Sequence, residues 1–196
     1  MKKFIGFLAF GLVLCGAMGF LIFPNPLTDA GFTPRAWQKI NQHFETEILA
    51  TTIPETKTAI SLDWFMAVDS IFQPFTDTQI FDLRTQRFFT VQRTGGQGHA
   101  DVETINAYHT QIFGDIVQTF PKARRPVLVE INDMWVAASL STNPHGFSMI
   151  GTNNLGGHLC LHFEGSITDG TKRPDLLAQK TIKQALKMAN KIFPNK

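Results

Sequence analysis

A chain of 196 residues, 43% hydrophobic and 17% charged, can bury one sizeable core and is too short to expect two. Its formal charge is +2, and setting aside Lys2 and Lys3 brings 18 basic residues to 16, equal to the 16 acidic ones. The body is therefore near neutral, with no electrostatic footprint for nucleic acid or for an anionic membrane surface. Two cysteines, Cys15 and Cys160, exclude a disulfide framework.

Met1-Lys2-Lys3 is a short basic start, followed by an uncharged run over residues 4–23 that ends at Pro24-Asn25-Pro26. This reads as an export signal. Ala17-Met18-Gly19 offers a small-residue cleavage pattern, whereas the length of the run, about twenty residues, suits a retained membrane anchor. The lysines would keep the N-terminus inside and place the body outside the membrane. An uncleaved anchor is preferred to a cleaved signal. Both are preferred to a lipoprotein, because Leu14 is too bulky just before Cys15. Residues 24–79 are expected to form a linker and a helical region packed on the core, and residues 80–196 a β-rich domain.

Thr33-Pro34 has the form of a helix start, and Trp37, Ile40, Phe44 and Ile48 follow at helical spacing. Pro54 breaks the pattern. Ser61 is expected to cap a second helix that turns Trp64, Phe65, Val68, Ile71 and Phe72 inward and stops near Pro74. From Ile80 to Arg93 the runs FDL and RFFTVQR, separated by Arg84-Thr85-Gln86, predict a hairpin. A glycine-rich turn, residues 94–98, then delivers His99-Ala100-Asp101. Asp101 is expected to cap a helix whose buried stripe is Ile105, Tyr108, Ile112, Ile116 and Phe120. Residues 126–131 and 134–140 predict another hairpin, turned at Asn132-Asp133. Asp175 caps a terminal helix with Leu177, Ile182, Ala185, Leu186, Ala189 and Ile192 on one face.

The chemistry gathers in residues 143–163, NPHGFSMIGTNNLGGHLCLHF, which hold three of the six histidines and Cys160. If residues 157–163 are extended, His158, Cys160 and His162 share one face, and Leu159, Leu161 and Phe163 enter the core on the other. His145 returns to this place from a loop rich in glycine and asparagine. A thiol becomes a nucleophile near neutral pH when an imidazole takes its proton, and a base supplied from a separate segment is the usual arrangement. The expected reaction is acyl transfer through a thioester, with backbone N–H groups near Leu159 and Cys160 receiving the oxyanion. His43 and His109 sit in helical patterns and read as ordinary polar residues. For His162 a purely structural role, hydrogen-bonded to Glu164 or to a loop carbonyl, weighs about evenly against a site role.

His145-Gly146, Ile150-Gly151 and Gly157-His158-Leu159-Cys160-Leu161-His162 together resemble the signature of the L,D-transpeptidase catalytic domain. That family carries a histidine-glycine pair, a loop of about this length and a Ser-His-Gly-Cys-apolar-Arg/Asn core. The resemblance implies an α+β fold with a mostly antiparallel β-sheet, here with N-terminal helices and a C-terminal helix. It also implies exchange of peptidoglycan peptide cross-links through a cysteine acyl-enzyme, without a cofactor. Cys160 would be the nucleophile, His145 the base, the Gly146 carbonyl its orienter and His158 a second site histidine. Three positions depart from the pattern. Gly157 stands for the usual serine, Leu159 for the glycine before the cysteine, and His162 for the arginine or asparagine. Losing arginine at position 162 removes a bidentate clamp for a carboxylate. The segment from Arg93 to Gln179, with RTGGQGHAD, NPHG and GHLCLHF, is similar to a divergent bacterial branch of such proteins.

His162, His99, Arg93 and Asn154 are the expected substrate-positioning residues. Partners are then peptidoglycan peptides, and the membrane through the N-terminal segment if it is retained; the expected location is the cell envelope, outside the cytoplasm. Two rivals stand beside this reading. The first is a zinc-dependent hydrolase built on His145, His158, Cys160 and His162, although neither C-x-x-C nor H-E-x-x-H spacing is present. The second is a peptidoglycan-binding module that keeps the cleft and has lost the reaction. The expected site contains no metal.

Overall fold

The structure, a computed structural model, describes residues 58–119 and 124–194. The expectations for the signal or anchor segment, the linker, the helix carrying Trp37 to Ile48, His43, Cys15 and Phe120 fall outside the described residues. Among the described residues no helix is long and apolar enough to cross a membrane.

The described residues form an α+β domain, a mostly antiparallel β-barrel with three helices. Its elements are β1 (Ala59–Ile60), a π-helical turn (Trp64–Val68) running into the short α1 (Asp69–Ile71), β2 (Asp77–Asp82), β3 (Arg87–Gly95) and β4 (Ala100–Thr104). Next come α2 (Ala107–Thr119), β5 (Arg125–Ile131), β6 (Met134–Leu140), β7 (Leu159–His162) and α3 (Leu176–Ile192). The strand order is β1-β6-β5-β2-β3-β4-β7, and β6 also pairs with β7, so six strands close on themselves. β1 adds to β6 in parallel, and every other pair is antiparallel.

Closure follows from alternation. Ile80, Phe89, Val91, Val102, Val127, Val129, Val136, Leu140, Leu159 and Leu161 point to the interior and are buried with Trp64, Val68, Phe72 and Phe163. A barrel of this size is filled by its own side chains. Leu159 and Leu161 are fully buried, each worth about 2 kcal/mol of burial, which fixes the register of β7. Outside the barrel, α3 lays Ile182, Ala185 and Ala189 on Phe81, Leu83, Leu128, Trp135 and Ala137. Asp175 caps α3 as expected, accepting from Leu177 N–H at 2.9 Å and Ala178 N–H at 3.0 Å.

Both predicted hairpins are present. Asn132 (φ 48°) and Asp133 (φ 61°) form the two-residue left-handed turn that matches strand twist. In the first hairpin Asp82 accepts from the Thr85 N–H at 2.8 Å and so closes the turn. Several local expectations are corrected. Asp63, not Ser61, caps the helical turn, accepting from Met66 N–H at 3.0 Å, and Phe65 is exposed. Asp101 caps no helix: it lies within β4, and Asn106 Oδ1 receives His109 N–H at the start of α2. The capping signature lost because Ala100 and Val102 bury their side chains only if the chain stays extended between β3 and β7. Along α2 the buried residues are Phe113 and Ile116, while Tyr108 is half exposed; on α3, Leu177 is exposed.

Candidate active site

The candidate site lies on the outer face of β7 and β4. With Leu159 and Leu161 inside, Cys160 and His162 must point out. Asp101 is directly opposite Cys160, and Ser139 of β6 is opposite His162. His99 immediately precedes the Ala100–Leu161 pair, and its ring stacks on that of His162 at 4.4 Å with an interplanar angle of 13°. Cross-strand neighbours on one face lie about 5 Å apart, so these residues form one continuous patch.

His145 arrives from the loop and is pinned to the strand by a reciprocal backbone pair with His158. His145 N–H donates to the His158 carbonyl at 3.0 Å, and His158 N–H to the His145 carbonyl at 2.9 Å. Two glycines permit this approach. Gly157 (φ +136°) leaves no room for a Cβ, which would sit 2.6 Å from the His145 carbonyl oxygen. A Cβ on Gly146 (φ +68°) would lie 2.5 Å from the His158 ring. The pinned loop places His145 Nε2 at 3.4 Å from Cys160 Sγ. His145 Nδ1 lies 3.0 Å from the Asn143 carbonyl, which can only accept, so Nδ1 carries the proton and Nε2 offers its lone pair to the thiol. The base is thus oriented by Asn143. Gly146 makes room for His158.

Further along, the loop is held by a carboxylate the sequence did not reveal. Glu103 is fully buried on the outer face of β4 and accepts from Ser148 Oγ at 2.6 Å, Met149 N–H at 2.6 Å, Ile150 N–H at 3.2 Å and Asn153 Nδ2 at 3.0 Å. Burial alone would raise the pKa of Glu103; its donors outweigh that and hold it below the usual value. The signal was available once residues 100–104 are read as a strand, because Asp101 and Glu103 then share the face of Cys160.

The thiol is half-buried and its pKa is pushed up to about 12, first by burial and then by the charge of Asp101. It is stored as a neutral thiol rather than as the thiolate of an ion pair. His162 is buried, and its pKa falls to about 3 through burial and then through His99. It is neutral and does not replace the cationic clamp. Glu164 does not hold it either, taking a hydrogen bond from Ser61 Oγ instead. Arg124, which sequence reasoning missed, is bonded to Asp175 at the start of α3, and its charge opposes the rise at Cys160.

Comparison with protein-family models, curated proteins and solved structures finds no match to this chain. Geometry alone therefore sorts the expected residues. Cys160, His145, His158, His162 and His99 are brought together. His99 is buried against the loop of residues 167–175, its Nδ1 donating to the Ile167 carbonyl at 2.9 Å. Arg93 stands apart as a structural residue. It is buried and donates through Nε to the Gly95 carbonyl at 3.0 Å and through Nη2 to Asp69 Oδ1 at 2.7 Å and the Gly96 carbonyl at 2.9 Å, with Nη1 on the Phe72 carbonyl. Its guanidinium covers the Trp64 ring at 4.7 Å, so it ties α1 to β3 and is not a substrate group. Asn154 is an exposed left-handed turn residue (φ 59°), and its neighbour Asn153 is the one bonded inward to Glu103. His109 accepts Thr90 N–H at 3.0 Å, the structural role expected of it. A groove of about 420 Å³ lined by residues including Phe72, Thr78, Gln79 and Asp133 contains none of the site residues.

Proposed function

We propose that this protein is a cell-envelope cysteine acyltransferase of the L,D-transpeptidase type that acts on peptidoglycan stem peptides. The observation that carries the reading is the 3.4 Å approach of His145 Nε2 to Cys160 Sγ, with the far nitrogen of the ring held by a backbone carbonyl. A nucleophile, a base from another segment and a group that orients the base are the parts acyl transfer needs. The resemblance in residues 145–162 supplies the substrate class. The uncharged N-terminal run supplies the expected route to the envelope.

The resting thiol is neutral, so proton transfer accompanies attack. Sγ forms a bond to the acyl carbon of the donor peptide as its proton passes to His145 Nε2. The tetrahedral intermediate then breaks its C–N bond, and His145 returns the proton to the departing amine, leaving a thioester on Cys160. An acceptor amine, or water, next gives a proton to His145 and attacks the thioester. The product leaves with the new acyl bond, and the sulfur regains the proton from His145. An amine makes the protein a transpeptidase and water an L,D-carboxypeptidase.

Covalent capture tests the proposal. Incubated with a cysteine-directed β-lactam, the wild-type protein should gain the mass of one acyl group. Cys160→Ala should gain none, and His145→Ala should acylate about 10²–10⁴-fold more slowly, the usual contribution of a positioned base. A wild-type protein that takes up neither a β-lactam nor a peptide acyl donor would overturn the acyltransferase reading and leave the peptidoglycan-binding and zinc-hydrolase readings.

A further inference from the structure

The tautomers of the histidines around the thiol have a consequence beyond acyl transfer. His145 Nδ1 faces the Asn143 carbonyl at 3.0 Å, His158 Nδ1 the Phe147 carbonyl at 3.3 Å, and His99 Nδ1 the Ile167 carbonyl at 2.9 Å. A carbonyl oxygen cannot donate, so in each neutral ring Nδ1 holds the hydrogen and Nε2 an open lone pair. These lone pairs fall into two neighbouring groups, one of His145, His158 and Cys160 and one of His99, Asp101 and Asp169. His145 Nε2 faces Cys160 Sγ, while His158 Nε2 and His99 Nε2 each lie 3.5 Å from Asp101 Oδ1. Asp101 Oδ1 and His99 Nε2 are buried atoms with no hydrogen-bond donor or acceptor partner among the described residues. Acceptors turned toward one another repel unless a proton or a metal ion lies between them. Metal-ligating histidines show this same pattern, the far N–H held by a backbone carbonyl and the near nitrogen bare.

We propose that this cluster binds a zinc ion through Cys160 Sγ, His145 Nε2 and His158 Nε2, with the fourth position left to water, and that the bound ion blocks the nucleophile reversibly. The ligand atoms of His145, His158 and Cys160 lie within 4.8 Å of one another. Tetrahedral zinc with bonds of about 2.0–2.3 Å needs ligand atoms roughly 3.3–3.7 Å apart. The 3.4 Å between Sγ and His145 Nε2 already falls in that range. One thiolate and two imidazoles, with water in the fourth position, are a donor set that zinc accepts. On binding, the S–H bond breaks, a Zn–S bond forms and the proton leaves to solvent; no electron is transferred. The same ring nitrogen that would take the thiol proton in acyl transfer is engaged by the metal, so the two states exclude each other.

Cobalt and zinc titrations of chelator-treated full-length protein test this. Co²⁺ should bind with one-to-one stoichiometry and give a thiolate-to-cobalt charge-transfer band that Zn²⁺ abolishes by displacement. Zn²⁺ should protect Cys160 from alkylation, and added chelator should restore labelling. Cys160→Ser should remove the band, and His158→Gln should weaken Zn²⁺ binding by about tenfold or more. Circular dichroism of each variant checks that it is folded. The absence of the band with excess cobalt would overturn the proposal. So would a band that persists in folded His158→Gln but vanishes in folded His99→Gln, which would move the metal to His99, Cys160 and His162. Acylation of the chelator-treated wild type reads the acyl-transfer proposal separately, and neither result depends on the other.

Discussion

At the scale of single residues, the geometry of the site rests on atoms that are missing as much as on those present. Gly157 and Gly146 do no chemistry, yet each occupies backbone space where a Cβ would strike His145 or His158. Both also adopt positive φ, which costs an L-residue about 1–2 kcal/mol. Gly157→Ala should therefore break the reciprocal pairing of His145 and His158 and move the base away from Cys160. Displacement of a catalytic group by about 1 Å can cost 10²-fold in rate, so acylation should slow by roughly that factor. Alkylation of Cys160 by a small reagent should persist, because the sulfur itself stays on β7. If Gly157→Ala acylates at the wild-type rate, the His145 loop is not what positions the base.

At the scale of elements, a strand and a loop are joined by one buried carboxylate. β4 contributes Glu103, whose oxygens collect the donors of Ser148, Met149, Ile150 and Asn153 and so fasten the loop that also carries His145. Glu103→Gln puts an amide N–H₂ against donors and leaves at least one of them unpaired, a cost of about 1–3 kcal/mol. Hydrogen exchange at Met149 and Ile150 should accelerate while exchange in β5 and β6 stays slow, and acylation should slow in parallel. Uniform loss of protection across the barrel would show instead that Glu103 supports the whole fold.

How much of these elements could be read beforehand follows from how local their causes are. The Asn132-Asp133 turn, the Asp175 cap and the alternation that turned Cys160 away from Leu159 and Leu161 are set by neighbours in sequence, and all are present in the structure. Asp101 misled because a capping pattern is also local, and only pairing with β3 and β7 outweighs it. Arg93 looked like a substrate group because its partners, Asp69, the Phe72 carbonyl and Trp64, lie more than twenty residues away. The orienter of His145 was sought at Gly146, whereas the carbonyl of Asn143, two residues before His145, takes that place. Barrel closure through β6 and β7 leaves no local mark.

At the scale of the whole molecule, folding shifts the ionisation of several groups, and this sets stability against pH. The His162 pKa is lowered to about 3 by burial and by His99, whereas in the unfolded chain it is near 6.5. Between those values the unfolded state binds a proton that the folded state refuses, so stability falls as pH drops, by on the order of 1.4 kcal/mol per unit from this residue. Glu103 and Asp175, both held below their ordinary values although burial opposes it, add their loss lower down, as pH falls through the carboxylate range. The opposite sign applies to Cys160. Its folded pKa of about 12 lies above the unfolded value, so the folded thiol keeps a proton that the unfolded chain gives up, and stability falls as pH rises past about 9. Denaturant midpoints of chelator-treated protein should therefore peak near neutrality and decline on both sides. In the wild type, NMR titration of the His162 ring should show no protonation at about pH 5, where an unperturbed imidazole is charged. A His162 resonance that titrates near 6.5 in the folded protein would mean that water reaches the ring, and the acid limb assigned to it would disappear.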